Sequence, residues 1–254
     1  MTSSAHVLDR PSVDGVHTGR LLVTRRDPVN RLYRSVGILE FDGGDYNFSY
    51  LRSAIGAEWF RPLPGLSKIE SAYRSTDLFP LFRERIISPR RSDYDQTMEA
   101  LGLRLGAEPF EVLSRSGGHR AGDTIELIPI PHPARDGTVR ITFFAHGVRY
   151  LTAETQASIA DLRVGEPLRL QSDESNTVNP RALLVMRTDA ARLGYVPDPL
   201  VSFVHEVIAN PYSLQVERSN GPEVAFHYRL LIRLEGQAAP GSALFNGESM
   251  ETVA

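Results

Sequence analysis

Apolar and polar residues alternate along several short stretches of the chain, and this period of two predicts β-strands. The clearest case is the segment 45–51, where Tyr46, Phe48 and Tyr50 alternate with polar residues. The strands at the start of the chain are separated by short turn-prone segments, which favours an antiparallel meander. Strands are predicted over 20–26, 31–41, 45–51, 123–130, 138–144, 167–171, 182–187, 192–196, 212–218 and 223–234.

Between the early strands and residue 123, the pattern changes to helical spacing. Apolar residues predict helices over 78–87, 93–101 and 108–114. Ser92 is placed to cap the second of these helices, since Ser is a favoured N-cap residue. Gly117-Gly118 is placed to end the third, because glycine readily adopts the left-handed conformation that terminates helices.

One more helix is predicted after Asp198-Pro199, because Asp is a good N-cap and Pro suits the first helical position. Its apolar stripe consists of Leu200, Val204, Val207 and Ile208. The turn signal Ser219–Pro222 then predicts a hairpin between the last two strands. Short strands around one helix suggest a small, partly open barrel of the OB type.

The predicted fold class is therefore α+β. A flexible N-terminus covers 1–18, a first block covers 19–132, a second block covers 137–236, and a flexible tail covers 237–254. The first block combines an antiparallel meander with short helices, and the second is a small OB-like β-barrel with one helix. A Pro-rich stretch, Pro129–Pro133, is the predicted linker.

Composition narrows the possible functions. The chain has no cysteine, which excludes disulfides and thiolate metal sites. The net charge of −3 argues against a protein that coats nucleic acid through a strongly basic surface. Lys68 is the only lysine, so nearly all cations are arginines, a bias typical of GC-rich genomes that also suits phosphate contacts. No membrane span or secretory signal is recognised, so a cytoplasmic location is expected.

Catalytic and cofactor motifs are not recognised in the sequence. The seven histidines show no metal-binding spacing, and the motifs of metalloproteases and of serine hydrolases do not occur. The Gly-rich segment Ser116–Gly122 does not have the ending of a phosphate-binding loop and is interpreted as a connection between helix and strand. We therefore expect no enzymatic activity, no cofactor and no metal site.

The second block resembles the HIRAN domain, a nucleic-acid-binding module that also occurs in many bacterial proteins. Three segments carry the resemblance in the family's order: His146–Tyr150, Gly165–Leu170 running into Asp173–Ala182, and Arg192–Pro197 followed by a helix. The resemblance implies an OB-like barrel that binds single-stranded DNA or DNA ends.

Residue by residue, the resemblance places Arg149 and Tyr150 on the family's phosphate-binding arginine and base-stacking tyrosine. Asn179 falls on an aspartate that contacts the terminal hydroxyl, and Val178 falls on a second stacking tyrosine. Tyr195 takes a position that also faces DNA. The matches at positions 178 and 179 depart from the family's pattern. Valine cannot stack as an aromatic ring does, and asparagine carries no charge.

The loop 173–181 adds Asn176, Asn179 and Arg181 as candidate contacts to a backbone or a base edge. Each candidate also has a structural interpretation: an ordinary Asn-rich turn for the loop, and core packing for Tyr150 and Tyr195. The sequence leaves both interpretations open.

The first block resembles, more weakly, the N-terminal subdomain of HipA-type toxin kinases, which is not catalytic and contacts partners. The resemblance rests on Gly43–Tyr50, Phe79–Phe82, Leu101–Leu103 and the segment Phe110–Asp123. The kinase core has no counterpart in this chain. A protein partner or self-association through this block is the implied role.

Together these patterns predict a two-domain bacterial protein without enzymatic activity, whose barrel binds single-stranded DNA or DNA ends. The alternative is an antitoxin-like or adaptor module that binds a protein and no nucleic acid.

Overall fold

The computed structural model describes residues 19–120, 122–238 and 250–253. The predicted flexible N-terminus, residues 1–18, lies outside the described residues, as does most of the predicted tail. Within the described ranges no helix is long and apolar enough to cross a membrane.

The first block is built on one five-stranded sheet in the order β4-β3-β2-β1-β5, in which all neighbouring strands are antiparallel. The first three strands form the predicted meander, the short fourth strand was not predicted and pairs with the third, and the fifth returns to the free edge of the first strand after the helices. The bounds are β1 Gly19–Arg26, β2 Tyr33–Phe41, β3 Tyr46–Tyr50, β4 Tyr73–Ser75 and β5 Ile125–Pro129.

The period-two prediction for β3 is confirmed. Tyr46, Phe48 and Tyr50 are buried, whereas the polar residues between them are only partly buried. The Tyr50 hydroxyl donates a hydrogen bond to the carbonyl of Leu66 at 2.6 Å and accepts one from the N–H of Leu63 at 2.7 Å. The polar end of this buried ring is therefore satisfied.

The three helices of the first block are α1 Pro80–Arg83, α2 Tyr94–Leu101 and α3 Pro109–Ser116. The prediction for 78–87 was too long, because the chain leaves α1 through turn-type hydrogen bonds after a single helical turn. Asp93, and not Ser92, is the N-cap of α2. Gly117 ends α3 with a left-handed φ of 68°, as predicted from the Gly-Gly pair.

The second block contains two three-stranded antiparallel sheets, in the orders β10-β11-β6 and β7-β8-β9. The prediction of an α+β protein with antiparallel sheets and short helices is confirmed. The bounds are β6 Thr138–Phe144, β7 Leu168–Ser172, β8 Leu183–Arg187, β9 Arg192–Tyr195, β10 Ser213–Ser219 and β11 Leu230–Gln237.

These two sheets are connected at both edges by short bridges. His146 and Tyr195 each donate their N–H to the other's carbonyl at 2.9 Å. At the opposite edge, Val216 donates to the carbonyl of Glu166 at 3.0 Å, and Gly165 donates to the carbonyl of Val216 at 2.8 Å. The strands therefore follow one another in a ring whose ladders are interrupted at the two bridges, which is a partly open barrel.

The prediction of a strand over 223–234 was wrong in its first half. The segment Phe226–Tyr228 is a 3₁₀ helix, and the strand begins at Leu230. A tight hairpin does not form at 219–222 because the Asn220 side chain is used elsewhere. Its Nδ2 donates to the carbonyl of Ala100 at 2.9 Å and to that of Tyr228 at 2.5 Å, which holds the connection against α2.

The second block has two α-helices, not the one that was predicted. The additional helix, α4 Ala153–Ile159, is capped by Thr152, whose Oγ1 accepts from the N–H of Thr155 at 3.2 Å. The predicted helix is α5 Val201–Ile208, preceded by one 3₁₀ turn. Asp198 does not cap it. Its carboxylate instead accepts hydrogen bonds from the Asn179 side chain and from the N–H of Tyr33.

The two blocks pack against each other through apolar side chains. A contiguous buried core extends from the first block into the second. A smaller buried cluster lies across the junction and consists of Met98, Leu101, Val112, Phe144 and Leu231.

Part of the predicted tail lies along the first block. The N–H of Arg52 donates to the carbonyl of Glu251 at 2.8 Å, and the N–H of Val253 donates to that of Tyr50 at 2.9 Å. Met250 is buried. Residues 250–253 therefore return from the barrel to the end of β3.

Replacing Asn220 tests the junction. We expect Asn220→Ala to lower the free energy of unfolding by about 1–3 kcal/mol, because it leaves two carbonyls without their donor. Urea unfolding of the full chain measures this, with Asn210→Ala, at an exposed position, as the control. An unchanged unfolding midpoint would show that Asn220 does not fasten the blocks.

Candidate nucleic-acid interface

The first pair of candidate residues, Arg149 and Tyr150, lies on a short 3₁₀ helix, Val148–Tyr150, which follows β6. Gly147 precedes it with a left-handed φ of 77°, a conformation that favours glycine. Val148 is buried and anchors the turn, whereas Tyr150 is 73% exposed. The turn therefore presents Arg149 and Tyr150 to solvent, and the core-packing interpretation of Tyr150 does not hold.

Arg149 and Tyr150 interact directly. The Arg149 guanidinium carbon lies 4.5 Å from the centroid of the Tyr150 ring, within the range of a cation–π contact. The guanidinium also donates to the Tyr150 hydroxyl. Gln156, on α4, donates to the carbonyl of Leu151 at 2.9 Å, which connects the helix to the turn. A cation and an exposed aromatic ring thus share one site.

A second arginine–aromatic pair lies on the neighbouring 3₁₀ helix, Phe226–Tyr228, which contacts the first. Phe226 is 44% exposed, and the guanidinium carbon of Arg229 lies 5.5 Å from its ring centroid. Sequence reasoning missed this pair because it treated the segment as a strand. The only local signal was the arginine three positions after the phenylalanine.

The loop 173–181 uses its two asparagines to hold its own shape. Oδ1 of Asn176 accepts from the N–H groups of Val178 and Asn179, both at 3.0 Å. The Asn179 side chain donates to Asp198 at 2.5 Å and accepts from the N–H of Arg181 at 2.9 Å. Both side chains therefore have structural partners within the protein.

Other members of this loop are exposed. Val178 is 44% exposed. The Arg181 side chain is exposed, and its guanidinium lies 3.4 Å from the Ser202 hydroxyl. Arg181 is the member of the predicted loop site whose charged group faces solvent.

Tyr195 lies between the loop and the Arg149–Tyr150 turn. Its hydroxyl donates to Asp173 at 2.8 Å, and its ring packs so close to Gly147 that a Cβ there would lie 3.3 Å from it. Burial, followed by the Asp173 carboxylate, raises the pKa of Tyr195. Tyr195 is half-buried and positions two surface segments. The sequence had left core packing and stacking open for this residue.

A buried polar cluster lies at the junction of the two blocks, at the 3₁₀ helix Phe226–Tyr228. Glu126, on β5, is 3% exposed. Its Oε1 lies 3.0 Å from Nε2 of His146 and 3.7 Å from Nε2 of His119. The His227 ring centroid lies 5.2 Å from that of His119. Sequence spacing gave no sign of this cluster, because its members come from four separate segments.

Two glycines position His119 within this cluster. In the predicted Gly-rich connection, the described residues 117–120 and 122–124 lie between α3 and β5. Gly117 and Gly118 both have a left-handed φ, and the carbonyl of Gly117 accepts from the N–H of Leu127 at 2.9 Å. A Cβ at Gly118 would come within 2.4 Å of the Leu127 side chain. The pair therefore allows the chain to turn back so that His119 lies over β5.

The members of the cluster shift one another's pKa. Burial acts to raise the pKa of Glu126, but the adjacent His146 and His119 outweigh it and lower that pKa to about 2. Burial acts to lower the pKa of His146, and the Glu126 carboxylate reverses this and raises it. Burial, with His119 next, lowers the pKa of His227 to about 4.

Comparisons with known proteins establish no family for this chain. No family model matches the chain, and no curated protein matches it. Its structural neighbours include the HIRAN domain of human HLTF, with 13% identity and a TM-score of 0.31, covering 46% of this chain and 93% of that one. A protein from Lactobacillus plantarum has 21% identity and a TM-score of 0.30, covering 40% of this chain and 100% of that one. Both TM-scores are below 0.5, so neither likeness establishes a shared function.

Neither neighbour tests the HIRAN resemblance of the second block or the HipA resemblance of the first. The HipA resemblance of the first block therefore stays a prediction from its sequence.

Removing one hydroxyl tests the role of Tyr195. We expect Tyr195→Phe to lower the free energy of unfolding by about 1 kcal/mol, because the bond to Asp173 is lost while the ring packing is kept. Tyr212→Phe, at an exposed position, is the matched control. Equal stability of the two variants in urea titrations would contradict a positioning role.

Proposed function

We propose that this chain is a non-enzymatic protein that binds single-stranded nucleic acid through the two contacting 3₁₀ helices of its second block. One observation carries the proposal: Tyr150 is 73% exposed, and the Arg149 guanidinium lies over its ring. An exposed aromatic ring beside a cation is the combination that sequence-tolerant binding of single strands uses.

Stacking suits this geometry. A base that stacks on an aromatic side chain contributes about 1–3 kcal/mol, and every base offers a suitable face. Arg149 covers one face of Tyr150 and can contact the phosphate beside a base on the other face. Phe226, with Arg229 close to its ring, supplies a second stacking position on the adjacent turn.

Electrostatics contributes less. The chain has a net charge of −3, and the exposed cations that we assign to the interface are Arg149 and Arg181, since Arg229 is buried. Each phosphate contact adds about −0.7 to the slope of log affinity against log salt for a single strand. We therefore expect a shallow salt dependence.

The arrangement around Asn179 argues against recognition of a free 3′ end. A contact with a terminal hydroxyl would require its side chain to leave Asp198 or the N–H of Arg181. Asp198 is itself occupied by the N–H of Tyr33 at 3.3 Å. We propose internal stretches of a single strand as the ligand.

Truncating the ring is the direct test. We expect Tyr150→Ala to weaken binding to a labelled single-stranded oligonucleotide about 5- to 150-fold, which is the stacking contribution expressed as affinity. Tyr212→Ala removes another exposed tyrosine and serves as the control. If both variants bind as tightly as the wild-type protein in fluorescence anisotropy, the proposed interface is wrong.

The 3′-end arrangement gives a separate expectation. Oligonucleotides that end in a 3′-hydroxyl and in a 3′-phosphate should bind with equal affinity, and both should bind more tightly than blunt duplex. A clear preference for the hydroxyl would mean that Asn179 exchanges its internal partners for the ligand. No binding to any oligonucleotide at low salt would favour the protein-binding alternative.

A further inference from the structure

The buried cluster at the junction has the composition of a metal site. One ring nitrogen of His119, a carboxylate oxygen of Glu126 and one ring nitrogen of His146 all lie within 4.8 Å of one another. Two imidazoles and one carboxylate are ligands that suit zinc and other divalent first-row transition metals, whereas magnesium and calcium prefer oxygen ligands.

Two of the three separations between ligand atoms suit a single ion. Ligands bound to zinc at about 2.0–2.1 Å in a tetrahedron lie roughly 3.3–3.4 Å from one another. Oε1 of Glu126 lies 3.0 Å from the His146 nitrogen and 3.7 Å from the His119 nitrogen, on either side of this value. The two histidine nitrogens are up to 4.8 Å apart, so His119 has to move towards His146 by about 1 Å for all three to surround one ion.

The second observation is an unsatisfied carboxylate oxygen. Glu126 is 3% exposed, and among the described residues its Oε2 is buried and has no hydrogen-bond partner. Burying a charged oxygen without a partner is costly. A bound cation would satisfy it.

The backbone around the cluster holds two of the ligands firmly. His146 is fixed by its pair of hydrogen bonds with Tyr195. The carbonyl of Glu126 accepts from the buried hydroxyl of Thr24 at 2.9 Å, and β5 pairs with β1 along its length. His119 lies in a loop and is partly exposed, so it is the ligand that can move.

Space for an ion is present beside the cluster. A cavity of about 40 Å³ touches His119, Glu126, His146 and His227, which is enough for an ion with a bound water. A larger cavity of about 550 Å³ also touches His119 and His227.

We propose that His119, Glu126 and His146 form a structural binding site for one divalent transition-metal ion of the zinc class, with His227 or water as the fourth ligand. His119 and Glu126 belong to the first block, and His146 and His227 belong to the second. The ion cross-links the two blocks, and its binding energy stabilises their packing.

The test uses the full chain, freed of metal by dialysis against a chelator and then titrated with Zn²⁺. Calorimetry should give about one ion per chain, and the thermal transition should shift upwards because the ion binds only the folded state. Co²⁺ serves as a spectroscopic probe, since its visible bands report imidazole and carboxylate ligation. Absence of binding, with no thermal shift, would mean that the cluster is only a buried ion pair.

Variants identify the ligands. His119→Ala changes a partly exposed loop residue and should fold; it should lower Zn²⁺ affinity by at least about tenfold, the loss seen even for outer-shell partners. His205→Ala removes a histidine outside the cluster and should leave affinity unchanged. If His119→Ala binds Zn²⁺ as tightly as the wild-type protein, or if His205→Ala loses the ion, the assignment is wrong.

Glu126→Gln provides a second measurement that keeps the side-chain volume. If it folds, it should bind Zn²⁺ weakly and change the Co²⁺ spectrum. If it does not fold, the Co²⁺ spectrum of the wild-type protein and the His119→Ala titration still decide the question.

Discussion

The backbone pairing of His146 with Tyr195 fixes three features at once. It joins the two sheets of the barrel at one edge, it starts the turn that carries Arg149 and Tyr150, and it holds the His146 imidazole beside Glu126. The pairing depends on Gly194, because a Cβ there would come within 2.6 Å of the His146 carbonyl oxygen. Because Gly194 has no side chain, the barrel edge, the surface turn and the buried cluster can lie next to one another.

In the proposed interface, stacking on exposed rings contributes more to the affinity than charge does. Proteins that rely on basic surfaces bind single strands and duplexes alike, and lose their ligand as salt rises. Exposed rings on short turns favour unpaired bases instead, since only these have free faces. A slightly acidic chain can therefore select a single strand without attracting nucleic acid generally. Arg149, which lies beside the Tyr150 ring, then positions the backbone, which is the role of phosphate contacts in general.

The parts of the fold that could be predicted are those whose conformation is determined by residues close together in the sequence. The alternation of Tyr46, Phe48 and Tyr50 predicts β3 because burial on one face of a sheet has a period of two. The 3₁₀ helix at Phe226–Tyr228 escaped prediction because tertiary contacts of Asn220 override a strand-like pattern. The same holds for Asp198, whose carboxylate serves Tyr33 and Asn179 instead of its own helix.

Only some of the residues at the two candidate sites could be predicted from the sequence. Arg149 and Tyr150 are adjacent, so their pairing could be predicted from a short motif. His119, Glu126 and His146 are brought together by the folding of two blocks, and spacing along the chain contains no trace of that. Asn179 illustrates the opposite error, since a residue that matches a family position can be occupied by neighbours within its own protein.

Residues 250–253 have a consequence for how the molecule would respond to cleavage. The chain passes from the first block to the second after β5, and it returns to pair with Leu51 and its neighbours after β11. The two blocks are therefore joined by one covalent connection and by the hydrogen bonds of residues 250–253. A protease that cuts the connection after β5 leaves the halves held together by these hydrogen bonds and by the buried junction. Nicked chains should remain assembled under native conditions and separate only when denatured.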